Sequence, residues 1–239
     1  MPNPTAAMLV IGDEILSGRT RDANMHHLAG RLSAHGIDLC EVRIVADKQD
    51  AVVDALNALR SAWDHVFTSG GIGPTHDDIT ADCVAAAFGV GIDIRDDARA
   101  VLATNYPGGA ADLTPARLRM ARIPDGATLI DNPVSKAPGF RIGNVHVMAG
   151  VPKIFAAMLE GVVSELAGGA PLLSESVRID RGESDVAEAL GAIAARFDDV
   201  SIGSYPFQRD GRFGTNIVLR CPDRDRLDAA TNEVRVLAS

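Results

Sequence analysis

Two neighbouring carboxylates, Asp77 and Asp78, follow a turn that carries glycine at 70, 71 and 73 and then Pro74-Thr75. A glycine-rich turn between a strand and a helix aims backbone N–H groups and the positive helix end at an anion. The missing Cβ atoms let a ligand come close and let the chain take positive φ. Two carboxylates beside an anion repel it unless a cation lies between them. Mg²⁺ sits in such places, held by one or two carboxylates and by phosphate oxygens. The stretch therefore reads as a phosphate site with a hard divalent cation, and Ser69, Gly70, Gly71, Gly73, Pro74, Thr75 and Thr80 surround the phosphate. The plainer alternative makes Asp77 or Asp78 an N-cap for the helix that follows. The turn lacks the GK[ST] of a P-loop and the GxGxxG spacing of a dinucleotide fingerprint.

A second acidic pair, Asp13-Glu14, comes directly after the apolar run 6–11 and Gly12. In open α/β sheets ligands gather at the carboxyl ends of strands, where both acidic pairs would lie. Asp13, Asp77 and Asp78 are the candidate metal ligands, and Glu14 is the candidate to orient or deprotonate a water. Asp13 capping a short turn is the alternative. A third stretch, 131–140, holds two prolines and a glycine ahead of its last residue, which make it a rigid loop with Asn132 and Lys136 as polar tips and Pro138-Gly139 at its end. Gly150-Val151-Pro152 then turns a strand into a helix. Proline at the first helical position leaves the neighbouring N–H groups free for an anion.

These residues need a scaffold that brings strand ends together. Residues 65–68 read as a buried strand, and 79–88 as a helix with Ile79, Cys83, Val84, Ala87 and Phe88 on one face. Upstream, strand 6–11 leads to a helix with the stripe Met25, Leu28, Ala29 and Leu32, capped by Asp22 or Asn24 and stopped by Gly36. His26 and His27 point different ways on that helix and read as surface or packing residues. Strand 39–46 and a helix with Val52, Val53, Leu56 and Leu59 inward complete a βαβαβα order, which predicts a parallel sheet with helices on both faces. Residues 93–122 are more polar and read as an excursion with helices at 96–103 and 115–121. Strands at 127–130 and 145–149 and a helix at 153–166 follow. A Gly-Gly-Ala-Pro linker at 168–171 separates a βαββα pattern, with a turn at Arg209-Asp210-Gly211. The expected architecture is a three-layer, mainly parallel α/β domain over 1–168 and a small α+β unit over 172–239.

The chain has 239 residues, a 46% apolar content that is enough for a sizeable core, and a formal charge of −9, which argues against non-specific nucleic-acid binding. Cys40, Cys83 and Cys221 form no CxxC pair, so neither a zinc knuckle nor a disulfide framework is indicated. The first residues lack a basic segment followed by a long apolar core, and no run is long enough to span a membrane. A cytoplasmic location is expected.

Four stretches together resemble a known family: GDEILSG (12–18), SGGIGPTHDDIT (69–80), NPVSKAPGF (132–140) and GVP (150–152). They are similar to the N-terminal module of bacterial competence/damage-inducible proteins and to the molybdopterin-binding-like domain at the front of eukaryotic FAD synthases. Both share the molybdopterin-binding fold of molybdenum-cofactor biosynthesis proteins and gephyrin. The resemblance covers about the first 170 residues, and the βαββα tail more loosely. It implies a metal-dependent pyrophosphatase acting on ADP-ribose or FAD-like dinucleotides. The molybdenum-cofactor branch implies instead a protein that handles a pterin phosphate, by nucleotide transfer or by binding alone. No stretch reads as a nicotinamide-mononucleotide deamidase domain or as a domain that adenylylates FMN. Ser135-Lys136 stands where the family often has Gly-Thr. By analogy with this fold, a homo-oligomer, dimer or trimer, is expected.

Overall fold

The computed structural model describes residues 2–209 and 211–238, so Asp210 of the expected turn lies outside the described residues. These divide into two compact units between Gly169 and Ala170. The first unit runs β1 (Thr5–Ile11), α1 (Asp13–Leu16), α2 (Asn24–His35), β2 (Asp38–Val45), α3 (Gln49–Ala62), β3 (His65–Ser69) and α4 (Thr80–Phe88). It continues with β4 (Ile92–Ile94), α5 (Asp96–Ala103), α6 (Pro115–Leu118), β5 (Arg122–Pro124), β6 (Thr128–Ile130), β7 (Gly139–Ile142), β8 (Val145–Met148) and α7 (Pro152–Glu165). The second unit is β9 (Leu173–Ile179), α8 (Glu183–Arg196), β10 (Ser201–Arg209), β11 (Arg212–Cys221) and α9 (Arg224–Leu237).

The central sheet of the first unit has the order β2-β1-β3-β8-β7-β6. β1 pairs in parallel with β2 and β3, and β3 with β8, whereas β7 runs antiparallel to β8 and β6. The sheet is thus mainly parallel, as the βαβ alternation predicts. β1 is apolar throughout because both its faces are covered. Ala7, Leu9 and Ile11 pack with α3, α4 and α5 through Leu56, Leu59, Val84 and Leu102. Ala6, Met8 and Val10 pack on the other side with α2 and α7 through Leu28, Leu32, Phe155 and Leu159. Helix–sheet–helix layering follows directly from that two-sided run.

Several local expectations are corrected. Met25 is exposed, and the inward face of α2 is Asn24, Leu28 and Leu32. The cap at Asp22 is present in a modified form: its carboxylate accepts from the Met25 amide, while Asn24 is buried and serves elsewhere. β7 begins inside what reads as a pure loop. Its entry depends on Gly139, where a Cβ would lie 2.2 Å from the Val147 carbonyl oxygen. The excursion is closed at its base by an antiparallel ribbon of β4 and β5. That pairing leaves no sequence signature, because three-residue strands are too short to show alternation.

The second unit is a three-stranded antiparallel sheet of order β10-β11-β9 with its own core of Val177, Ile193, Ile217, Leu219, Leu227 and Val234. Cys221 is buried in this unit, Cys83 is buried in the first, and Cys40 is exposed on β2. Burial, with Asp82 and Asp47 nearby, pushes the Cys83 thiol up to about 11. Among the described residues no helix is long and apolar enough to cross a membrane.

His146 is an exception in the first core. It is 1% exposed, stacks on Phe67 at 4.9 Å, and neither ring nitrogen has a hydrogen-bond partner among the described residues. Burial, followed by His65 and Arg141, pushes its pKa down to about 3. A free histidine titrates near 6.5, so the unfolded chain binds this proton more readily than the folded one. Stability is therefore expected to fall as pH drops below about 6.5, at up to about 1.4 kcal/mol per unit, until about 3. His146→Leu removes this contribution. Urea unfolding across acidic pH is expected to show a flatter decline in the variant, with the remainder left to other groups such as His65, which burial also depresses.

Candidate functional site

Three parallel strands, β1, β3 and β8, end on the same edge of the first unit, and the loops that leave them form one cleft of about 500 Å³. This lies within the roughly 300–1,000 Å³ usual for small-molecule sites. Gly12 and Glu14 come from the end of β1, Gly70–Gly73 from β3, and Gly150 and Pro152 from β8. Asn132 and Ser135 close the cleft from the loop before β7.

The strand ends are packed more closely than side chains allow. A Cβ at Gly70, whose φ is +106, would sit 2.2 Å from the Ile11 carbonyl oxygen. One at Gly150 would sit 3.1 Å from the Gly70 Cα. Gly71, φ +69, leaves room for the Thr80 hydroxyl, which donates to the Gly70 carbonyl at 2.9 Å. The Thr80 amide donates to the Gly71 carbonyl at 2.9 Å. The buried Asn24 amide donates to both the Ser69 hydroxyl and the Gly150 carbonyl, each at 2.7 Å, and so ties β3 and β8 to α2. The amides of Gly71, Ile72 and Gly73 have no partner among the described residues and border the cleft.

The predicted residues separate into two groups. Glu14, Gly70, Gly71, Gly73, Pro74, Asp77, Asp78, Asn132, Gly150 and Pro152 line the cleft. Asp13, Ser69, Thr75, Thr80, Lys136, Pro138 and Gly139 do not. Ser69 and Thr80 are buried and hold the turn together from within. Thr75 donates its amide and hydroxyl to Asp78 Oδ2, at 2.8 and 2.5 Å. Pro138 lines a smaller cavity beside the turn. Gly139 serves the β7–β8 approach. Lys136 is a strained turn residue with φ 57. Asn132, though it borders the cleft, spends its side chain on its own loop, donating to Ser135 and the Ala137 carbonyl and accepting from the Val134 and Ser135 amides. Neither aspartate caps α4, whose N-cap is Ile79.

Asp47 is the residue that sequence reasoning missed. It follows β2 and lines the cleft, and its Oδ2 accepts from the Asp13 amide at 2.8 Å. Burial raises its pKa first, and the charges of Asp13, Glu14 and Asp77 add to that. The available signal was its place after a strand, the same rule that picked out Asp13. By contrast, Asp77 is held below the usual carboxylate range by hydrogen bonding within its own loop. The excursion is also tied in. Arg122 grips Asp82 of α4 with two hydrogen bonds of 2.7 and 2.6 Å, and Arg119 donates to the Asp78 carbonyl at 3.2 Å.

Among the described residues four carboxylates thus line the cleft, Glu14, Asp47, Asp77 and Asp78, and no Lys, Arg or His does. Asp78 Oδ1 has no protein donor among the described residues. Among those residues, no three His, Cys, Asp or Glu side chains converge as a metal-ligand set. That donor chemistry still fits a hard cation such as Mg²⁺, which takes one or two carboxylates and fills the rest of its shell with water and phosphate oxygens.

Comparison with known proteins follows the division of the chain. Residues 7–168 match the family described as a probable molybdopterin binding domain. The chain belongs to that family. Residues 171–238 match the middle domain of FAD synthase. A probable FAD synthase of Caenorhabditis elegans is 31% identical over 257 residues, covering 98% of this chain and 50% of that protein. The chain spans about half the length of the FAD synthase relatives it matches. Protein Ta0487 of Thermoplasma acidophilum is 35% identical over 207 residues, 84% of this chain and 80% of that one. The crystal structure of a CinA protein of unknown function, also from Thermoplasma acidophilum, aligns with a TM-score of 0.64 at 36% identity over 69% of this chain and 99% of that one. Within the family the chain is therefore of the CinA type, with FAD-synthase-like relatives.

The glycine contacts give a graded expectation. Gly70→Ala meets backbone at 2.2 Å and is expected to destabilise the first unit by about 1–3 kcal/mol in urea unfolding. Gly73→Ala meets the Asp78 carboxylate, a side chain and not backbone, at 2.6 Å, and is expected to cost less stability than Gly70→Ala while pushing that carboxylate off its Thr75 hydrogen bonds. Asp47→Asn probes the electrostatics. A raised carboxylate pKa means that the folded state holds the proton better, so ionisation costs stability above the folded pKa. The variant is expected to gain stability at neutral pH and to lose that advantage in acid, as read by thermal melts at the two pH values.

Proposed function

We propose that the cleft binds a dinucleotide through its pyrophosphate and hydrolyses it, with ADP-ribose and FAD as the substrate class. The observation that carries this reading is the pairing of unbonded Gly71–Gly73 amides with four carboxylates and no basic side chain. Amides of that kind suit a phosphate oxygen. Carboxylates lining the same cleft suit the cation that would screen it. The N-terminal end of α7, opening at Pro152, suits the second phosphate.

A hard divalent cation, when bound by Asp78 and Asp77, would neutralise phosphate charge and make a water acidic. Thr75 holds Asp78 in one orientation, which leaves Oδ1 free for that role. Glu14 rests over Gly12, where a Cβ would meet its carboxylate at 2.7 Å, and is placed to accept a proton from a water in the cleft. Water adds to one phosphorus, the bridging P–O bond breaks, and two monophosphates result. The names of the FAD synthase relatives support a nucleotide as ligand. The family description supports a second reading, in which the same amides hold the phosphate of a pterin without hydrolysis.

A hydrolysis screen over ADP-ribose, FAD and NAD, with Mg²⁺ and with chelator, tests the proposal. Metal-dependent release of monophosphates is expected. Asp78→Asn keeps size and can still accept from Thr75, but loses the charge. Its turnover is expected to fall by about 100-fold or more. Without metal, its nucleotide affinity is expected to equal or exceed that of the wild type, because one repelling charge is gone. Unchanged turnover and metal dependence in this variant would return Asp78 to a structural role. Absence of any turnover, with tight pterin binding, would favour the second reading.

A further inference from the structure

β2 is the terminal strand of the six-stranded sheet and pairs only with β1 among the described residues. Terminal strands in natural proteins are usually blunted by proline, lysine, a bulge or inward charge. Residues 39–45 hold no proline, lysine or glycine. A bulge is present, since Ala6 pairs with Leu39 and Ala7 with Glu41, but it affects only Cys40 and leaves 41–45 regular. On one face of this regular stretch Val42 and Ile44 are 38% and 43% exposed. On the other, Glu41 and Arg43 stand two residues apart with opposite charge. They form an ion pair at 2.6 Å, and Glu41 also accepts from the Trp63 indole at 3.0 Å.

This pattern is complementary to itself. An antiparallel pairing about a two-fold axis through Val42 sets Val42 against Val42, Glu41 against Arg43 of the second copy and Arg43 against its Glu41. Moving the axis by one residue, to Glu41 or to Arg43, places like charges opposite each other, which is destabilising. An axis midway between residues would set apolar side chains of one face against charged ones of the other. We propose that β2 pairs with β2 of a second copy of this chain, joining two sheets across a two-fold axis centred on Val42. A closed two-fold contact of this kind stops at the dimer. The paired stretch is short, so the dimer is expected to be weak and to dissociate on dilution.

Charge reversal on the complete chain tests this pairing. E41R and R43E each place like charges across the axis, and each alone is expected to be monomeric by sedimentation velocity at concentrations where the wild type is dimeric. Mixed in equal amounts, the two variants regain complementary pairs and are expected to form a heterodimer. The ion pair within a single strand cannot produce that rescue. V42K, at an exposed position, is expected to keep its fold by circular dichroism and to be monomeric. A wild type that stays monomeric at high micromolar concentration, or assembles beyond a dimer, overturns the proposal. So does a dimer that survives in V42K, or a mixture of the charge variants that remains monomeric.

Discussion

The site rests on the close approach of three strand ends. β1, β3 and β8 converge so tightly that a single methyl group at Gly70 would overlap the Ile11 carbonyl. Everything chemical in the cleft follows from that approach. It removes side chains from the floor, exposes the Gly71–Gly73 amides, and lets Thr80 reach back to pin the turn. Asn24 then links two of the ends from below with hydrogen bonds in a buried setting, where leaving either partner unmet would cost about 1–3 kcal/mol. The geometry is therefore over-determined by backbone packing and does not wait for a ligand to form.

The electrostatics run against the ligand that the amides invite. A cleft with four carboxylates and no basic side chain repels phosphate on its own. Burial raises the Asp47 pKa, and the charges of Asp13, Glu14 and Asp77 add to it. Such a concentration of like charge persists in a fold only if something else holds it. Here it is the loops: Thr75 fixes Asp78, and the Asp13 amide fixes Asp47. Asp78 and Asp47 are orientated by backbone and hydroxyl donors, and no Lys or Arg side chain among the described residues forms an ion pair with either.

Much of this was legible in the residues because burial on both faces of a strand and glycine at a tight turn leave strong marks. β1, β3, α4 and the Pro152 start of α7 could be placed from apolar runs and punctuation. Gly36 likewise ends α2 in the left-handed conformation. What escaped was set by contacts between distant segments. Asn24 looks like a helix cap and is instead a tie across more than a hundred residues of chain. Ser69 and Thr80 have the hydroxyls of a phosphate site but spend them on the scaffold. Asp47 gave little signal because its role comes from Asp13 and the cleft, neither of which is near it in sequence. β4, β5 and β7 are three or four residues long, too short for alternation to register.

The three cysteines divide the molecule in a useful way. Cys40 lies exposed on β2, Cys83 is buried behind the glycine turn with its thiol pushed up to about 11, and Cys221 is buried in the second core. Alkylation requires a thiolate in contact with solvent. A small electrophile thus marks Cys40 in the closed molecule, Cys83 only when the core beneath the cleft opens, and Cys221 only when the C-terminal core does. The native chain carries a built-in set of clocks, one for its surface and one for the breathing of each core, readable peptide by peptide without a single engineered label.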